Sequence, residues 1–150
     1  FTPGHQRRDT VRAVMIEPGM VTGDIAVRMD TLPCAVMDGA RCFGAGEYPF
    51  EVTGLRFDQH DLIYAELTVV GELTEVATSG NIDLVFTEES DRGKVSYWSQ
   101  SLSAGPFRHT FRIPRRTPDH RSTLYIWNHS GADFRLKDLR IEAVHIGRKT

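Results

Sequence analysis

No stretch of this chain approaches the roughly 20 consecutive apolar residues that a helix needs to cross a bilayer. None repeats apolar residues at i, i+3 and i+4 over a helix-length window between breakers. Neither a membrane-inserted helix nor a helical bundle is expected. Charge of one sign is also missing: 18 basic against 20 acidic residues leave a net charge of −2, scattered along the chain. That balance builds no long-range field, so neither nucleic acid nor an anionic lipid surface is a favoured partner. Cysteine is scarce, with 2 in 150 residues and no Cys-x-x-Cys pair, which argues against a zinc ribbon or a thioredoxin-like redox site. Ser99, Ser101 and Ser103 lack a Gly-x-Ser-x-Gly elbow, and the 6 histidines form neither His-x-His nor His-Glu-x-x-His. With no catalytic signature, the chain is read as a non-enzyme, a small hydrolase built from residues that converge only in space being the remaining alternative. Low-complexity tracts, linkers and the long self-similar periods of solenoids and propellers are absent too. A signal-peptide pattern is lacking at the N-terminus, and the chain begins at Phe1 as a processed or excised domain does. A leader or anchor outside this sequence stays open.

What is present is β patterning. With 40% apolar residues in 150, residues 1–150 form one domain with one core. Apolar alternation breaks repeatedly at Gly, Pro, Asn and Asp, leaving nine runs near 11–16, 25–30, 48–57, 62–70, 81–87, 94–100, 107–113, 122–128 and 134–146. Ser122–Asn128 and Phe134–Ile141 are the clearest, joined by a turn that holds Asn128, Gly131 and Asp133. Short strands in this number predict an all-β, antiparallel two-sheet sandwich whose core spans 11–146.

Phase along the strands predicts which side chains face inward. Ile82, Leu84 and Phe86 share one phase; Phe107, Phe111 and Ile113 share another, with His109 among them as an interior histidine. Phe134 and Leu136 are in even register while Leu139 and Ile141 are odd, which predicts a bulge at Lys137-Asp138 that re-aims Asp138. Trp127 is expected in the core. On Lys94–Gln100, the face of Ser96, Trp98 and Gln100 looks solvent-compatible, and Val95 and Tyr97 take the opposite one. Trp98 is then either an exposed aromatic platform or a plug at the core rim. Arg108, Thr110 and Arg112, with Tyr64, Glu66 and Thr68, lie out of core phase and join it in one polar sheet. The acids of Glu88-Glu89 and Asp91 read as a solvated turn rather than an acid/base pair. The basic group Arg112, Arg115, Arg116, His120 and Arg121 reads as a solvated connection. Cys34 and Cys42 enclose a Gly-containing loop, compatible with a disulfide in an exported protein or with two buried thiols.

Several of these features together resemble a known family. Tyr97-Trp98, the Phe111–Pro114 strand, the Leu124–Asn128 run and a closing strand with Asp138 occur in the order seen in jelly-roll carbohydrate-binding modules attached to bacterial polysaccharide-degrading enzymes. The likeness covers 11–146. It implies a jelly-roll sandwich, and a structural calcium held by acidic groups from the two chain ends. Glu17, after Met15-Ile16, and Asp138 match those acidic positions, but the first of the family's paired aspartates is Lys137 here. A Lys137–Glu17 ion pair in place of calcium is the alternative.

The resemblance implies a non-catalytic carbohydrate-binding module of a secreted or cell-envelope protein, outside the cytoplasm, with a poly- or oligosaccharide as partner. Sugar rings offer apolar C–H faces rimmed by hydroxyls, so their sites join aromatic platforms to planar hydrogen-bonding groups. On that ground the expected ligand set is Trp98 as platform with Ser96, Gln100, Tyr64, Arg108 and Arg112. The alternative is a structural or interaction module that docks another domain of its parent protein and binds no sugar.

Overall fold

The computed structural model describes residues 9–16, 21–22, 25–32, 40–74 and 82–148. Twelve strands run through them: β1 (Asp9–Ile16), β2 (Val21–Thr22), β3 (Ile25–Met29), β4 (Thr31–Leu32), β5 (Ala40–Phe43), β6 (Phe50–Leu55), β7 (Leu62–Thr74), β8 (Ile82–Ser90), β9 (Gly93–Ser101), β10 (Gly105–Pro114), β11 (Arg121–Asn128) and β12 (Phe134–Arg148). No helix occurs among the described residues. All nine runs expected from periodicity are strands. The additions β2, β4 and β5 have two to four residues, too few to show a period of two.

Two sheets of antiparallel ladders face each other. One has the order β10-β7-β12-β5-β4, with β1 also paired to β12; the other has the order β2-β3-β6-β11-β8-β9. We call them sheet A and sheet B. This is an antiparallel β-sandwich of jelly-roll type. Alternation supplies the inner faces: Leu67, Val69, Phe111, Ile113, Phe134 and Leu136 from sheet A meet Val52, Ile82, Leu84, Phe86, Leu124 and Ile126 from sheet B, all buried. Phe43 stacks on Phe134 at 5.0 Å, and Phe86 meets Phe111 at 5.2 Å between ring centroids. Each such side chain contributes about 1.5–3 kcal/mol by leaving water.

The predicted bulge is present. Lys137 pairs with Glu72 but Arg140 pairs with Val70, so Asp138 and Leu139 together oppose Gly71. Asp138 takes φ 54°, the left-handed conformation that a short polar side chain tolerates. Gly71 stands opposite it, where a Cβ would lie 2.9 Å from the Phe107 ring and force that ring to shift. Asn128 closes the β11–β12 turn from a buried position: its amide donates to the carbonyls of Gly44 and Ala132, and its oxygen accepts from the Ser130 N–H and hydroxyl. Cys42 is buried and disulfide-bonded. The sequence holds one other cysteine, Cys34, which lies outside the described residues.

Candidate functional site

The outer phase of sheet B carries an unusual density of aromatic side chains. Tyr97 of β9 is opposite Thr87 of β8, and Tyr125 of β11 is opposite both Val85 of β8 and Glu51 of β6, so all point away from the core. Tyr48, from the segment leading into β6, meets Tyr125 edge to face at 5.6 Å. Tyr97 is 49% exposed and Tyr48 46%, although both are large apolar surfaces. Val85, on the same outer phase, is 0% exposed, so side chains from the neighbouring rows lie over it. The three tyrosines wall an open depression of ≈ 340 Å³. Its polar lining is Glu51, Thr87, Glu89, Lys94 and Thr123.

A bulge completes this face. Glu88 pairs with Ser96, yet Glu89 pairs with Lys94, which leaves Val95 as an extra residue in β9. The extra residue moves Lys94 out of the Ser96 phase and onto the outer face, where its Nζ stands 5.4 Å from the Tyr97 ring centroid. Burial raises the Tyr125 phenol above its ordinary value, with smaller contributions from Tyr97 and Tyr48. It therefore remains a neutral hydrogen-bond donor and acceptor.

One row further along the same face, Asp83 accepts from the Ser101 hydroxyl at 2.9 Å and meets His129 Nε2 at 3.1 Å, while the Trp127 ring lies 4.5 Å from His129. Aspartate, not histidine, is central here, so no imidazole is placed to take the serine proton. Trp127 itself was expected in the core. It lies half-buried on the outer phase, because β11 is a central strand with rings lying over one face and the core under the other.

The sequence-predicted ligand residues divide between two surfaces. Ser96, Trp98 and Gln100 are opposite Glu88, Phe86 and Leu84, which places them on the inner phase of β9. Trp98 packs edge to face on Phe111 at 4.2 Å and lies 5.7 Å from His109, closing the mouth between edge strands β9 and β10. This corrects the expected orientation. At the edge of a sandwich the inner phase runs into solvent and tolerates Ser and Gln, so polarity there does not mark the outside. Tyr64, Arg108 and Arg112 lie on the outer face of sheet A, with the Arg112 guanidinium 3.8 Å from the Tyr64 ring centroid. They do not join the Trp98 face. His109 has the expected inward phase, stacked on Phe107 at 6.0 Å, and burial pushes its pKa down. With Trp98 wedged against Phe111, Trp98→Ala is expected to cost about 3 kcal/mol. Thermal melting checks this, and an unchanged Tm would contradict the packing role.

Glu88 is the largest departure from expectation. It is not in a solvated turn but 1% exposed on the inner phase of β8. Arg116 donates to it twice, at 3.1 and 2.8 Å; the hydroxyls of Ser96 and Ser122 donate at 3.0 and 3.3 Å. The expected solvated basic connection therefore supplies the cation of a buried ion pair. Its neighbour Arg115 donates to the His60 carbonyl at 2.8 Å.

Of the two acids expected to hold calcium, only Asp138 is among the described residues. Glu17 lies outside the described residues, and Asp138 is exposed in a second depression, of ≈ 460 Å³, beside Glu72 and Arg140. Among the described residues no three His, Cys, Asp or Glu side chains gather to hold a metal ion. The described donor set does not fit calcium, which takes six to eight oxygen ligands.

Comparison with solved structures bears on the fold. A xylan-binding module CBM15 superposes with a TM-score of 0.52 at 9% identity, over 94% of this chain and 100% of that one. The chain has the fold of a carbohydrate-binding module. Two others are more distant: a structure described as "CBM4 structure and function" (TM-score 0.47, 9% identity, 78% of this chain and 84% of that one) and the N-terminal cellulose-binding domain of Cellulomonas fimi β-1,4-glucanase C (TM-score 0.43, 14% identity, 90% and 99%). No protein-family model and no curated protein sequence matches the chain. No helix among the described residues is long and apolar enough to cross a membrane.

Proposed function

We propose that this domain binds a polysaccharide chain without cleaving it, across the outer face of sheet B. The observation that carries the reading is the depression walled by Tyr48, Tyr97 and Tyr125 and lined by Glu51, Glu89, Lys94 and two threonines. Tyrosine rings match the C–H faces of sugars, and the carboxylates, ammonium and hydroxyls match their rim. Ser96, Trp98 and Gln100 support β9 from the core side in this reading; Tyr64, Arg108 and Arg112 stand on the opposite sheet.

The spacing of the two acids lining the depression supports binding without cleavage. Glu51 is opposite Tyr125, whereas Glu89 is opposite Arg121, four residues along and on the far side of β11. At ~3.4 Å per residue and ~4.8 Å per strand their backbones stand roughly 17 Å apart, far beyond the ~5–9.5 Å between carboxyls of a glycosidase pair. The disulfide at Cys42 supports a place outside the cytoplasm, in a secreted or envelope protein.

Affinity electrophoresis in gels containing soluble xylan, mixed-linkage glucan, mannan or polygalacturonate is the test. Retardation by at least one neutral glycan is expected, with xylan the first probe because the similar CBM15 module is xylan-binding. Unaltered mobility in all four would favour the docking-module alternative.

A further inference from the structure

The buried carboxylate of Glu88 and the exposed depression are two sides of the same three strands. Glu88 lies between Thr87 and Glu89 on β8; Ser96 precedes Tyr97 on β9; Ser122 precedes Thr123 on β11. Side chains alternate along a strand, so each hydroxyl or carboxylate held in the core network has a sequence neighbour lining the depression on the other face. The cation that completes the network is fixed from outside these strands. Arg116 N–H donates to the Phe57 carbonyl at 2.6 Å and Arg115 N–H to that of Ile63 at 3.4 Å, tying the segment to the β6–β7 connection and to the start of β7.

The network also meets the bulge of β9. Glu88↔Ser96 is the last regular pair before the shift to Glu89↔Lys94. Among the described residues β9 is an edge strand with β8 as its ladder partner, so no described strand fixes its register from the other side. A slip of one residue would carry Tyr97 off the outer face and return Lys94 to the inner one. The Ser96 hydroxyl bonded to Glu88 Oε1 is a side-chain pin at that point.

We infer that Glu88 is a positioning residue for the ligand face. From the core side it fixes the register and bulge of β9 that present Tyr97 and Lys94 beside Thr87, Glu89 and Tyr125. The inference rests on the reading of that face as the binding surface, and it has its own readout. Ser96→Ala removes one bond to Glu88 and leaves those from Arg116 and Ser122, so the domain stays folded. Amide hydrogen exchange is expected to quicken ~10-fold or more across β9, the equivalent of one lost hydrogen bond to a charged group, with β7 and β12 unchanged. Ser96→Thr, which keeps the hydroxyl, restores the protection. Glu88→Gln, which cannot accept from both serines and Arg116, is expected to do at least as much. Affinity for soluble xylan, where the wild type binds it, falls in parallel in Ser96→Ala and recovers in Ser96→Thr.

Unchanged exchange in β9, or exchange quickened equally throughout both sheets, would overturn the inference. It would leave Glu88 as a general buttress of the core. A wild type that binds no glycan sinks the proposed function alone, since the exchange pattern still decides whether Glu88 sets the β9 bulge.

Discussion

Arg116→Ala is expected to destabilise the domain by about 3–5 kcal/mol, the cost of leaving a buried charge without its partner. The carboxylate of Glu88 is 1% exposed, and truncation strips it of both guanidinium donors while Ser96 and Ser122 remain. The two hydroxyls satisfy oxygen lone pairs but bring no charge, which places the effect toward the lower end of that range. For a domain of this size, a loss of that order lowers Tm by roughly 6–20 °C. Arg121→Ala is the control. Its pair with Asp91, at 3.3 Å, leaves side chains 61% and 74% exposed, so its removal is expected to cost at most about 1 kcal/mol. Chemical denaturation of both variants decides the matter. An Arg116→Ala domain as stable as Arg121→Ala would mean that the pair with Arg116 is not what keeps Glu88 in the core.

The second large effect concerns binding rather than stability. Tyr97→Ala and Tyr125→Ala are each expected to weaken glycan affinity roughly 5- to 150-fold, taking ~1–3 kcal/mol for a stacking platform by analogy with base–aromatic contacts. Tyr97 is about half exposed and stands on an edge strand, so its loss is expected to change stability by no more than about 0.5 kcal/mol. Tyr97→Phe keeps the ring and loses the hydroxyl, which separates stacking from hydrogen bonding. Isothermal titration with the glycan retained in the gels, beside thermal melts, is the measurement. Undiminished affinity in both alanine variants would remove the tyrosine face as the site. Affinity lost only in Trp98→Ala, at unchanged Tm, would return the platform to the inner phase of β9.

The contrast between Tyr97 and Trp98 marks where reading the sequence stops. Period-two alternation established that they take opposite faces, and it established the strands themselves, because each run of β-branched and aromatic residues carries its own local signal. The bulge at Lys137-Asp138 was legible for the same reason: a change of phase within one strand is a local event. Which phase of β9 faces the core was not local. It depends on β8, where Trp98 is opposite Phe86, and on Phe111 of the other sheet, and the polar Ser96 and Gln100 disguised an inner face at the sandwich edge. Lys94 was beyond alternation altogether, since the extra residue Val95 is visible only in the pairing register.

Glu88 and Trp127 show the same division. Glu88 stands among acids and next to a turn, the usual setting of a solvated carboxylate, and its burial follows from Arg116, 28 residues away, reaching across to meet it. Trp127 belongs to a strand apolar on both faces, so only the central place of β11 in sheet B assigned its side. The nine longer strands, the bulge in the last of them and the two-sheet sandwich were legible in the sequence alone, because backbone alternation and apolar burial act over a few residues. The proposed binding face and the buried pair behind it were decided by the tertiary structure, because register between strands and the pairing of distant charges exist only once the two sheets have closed.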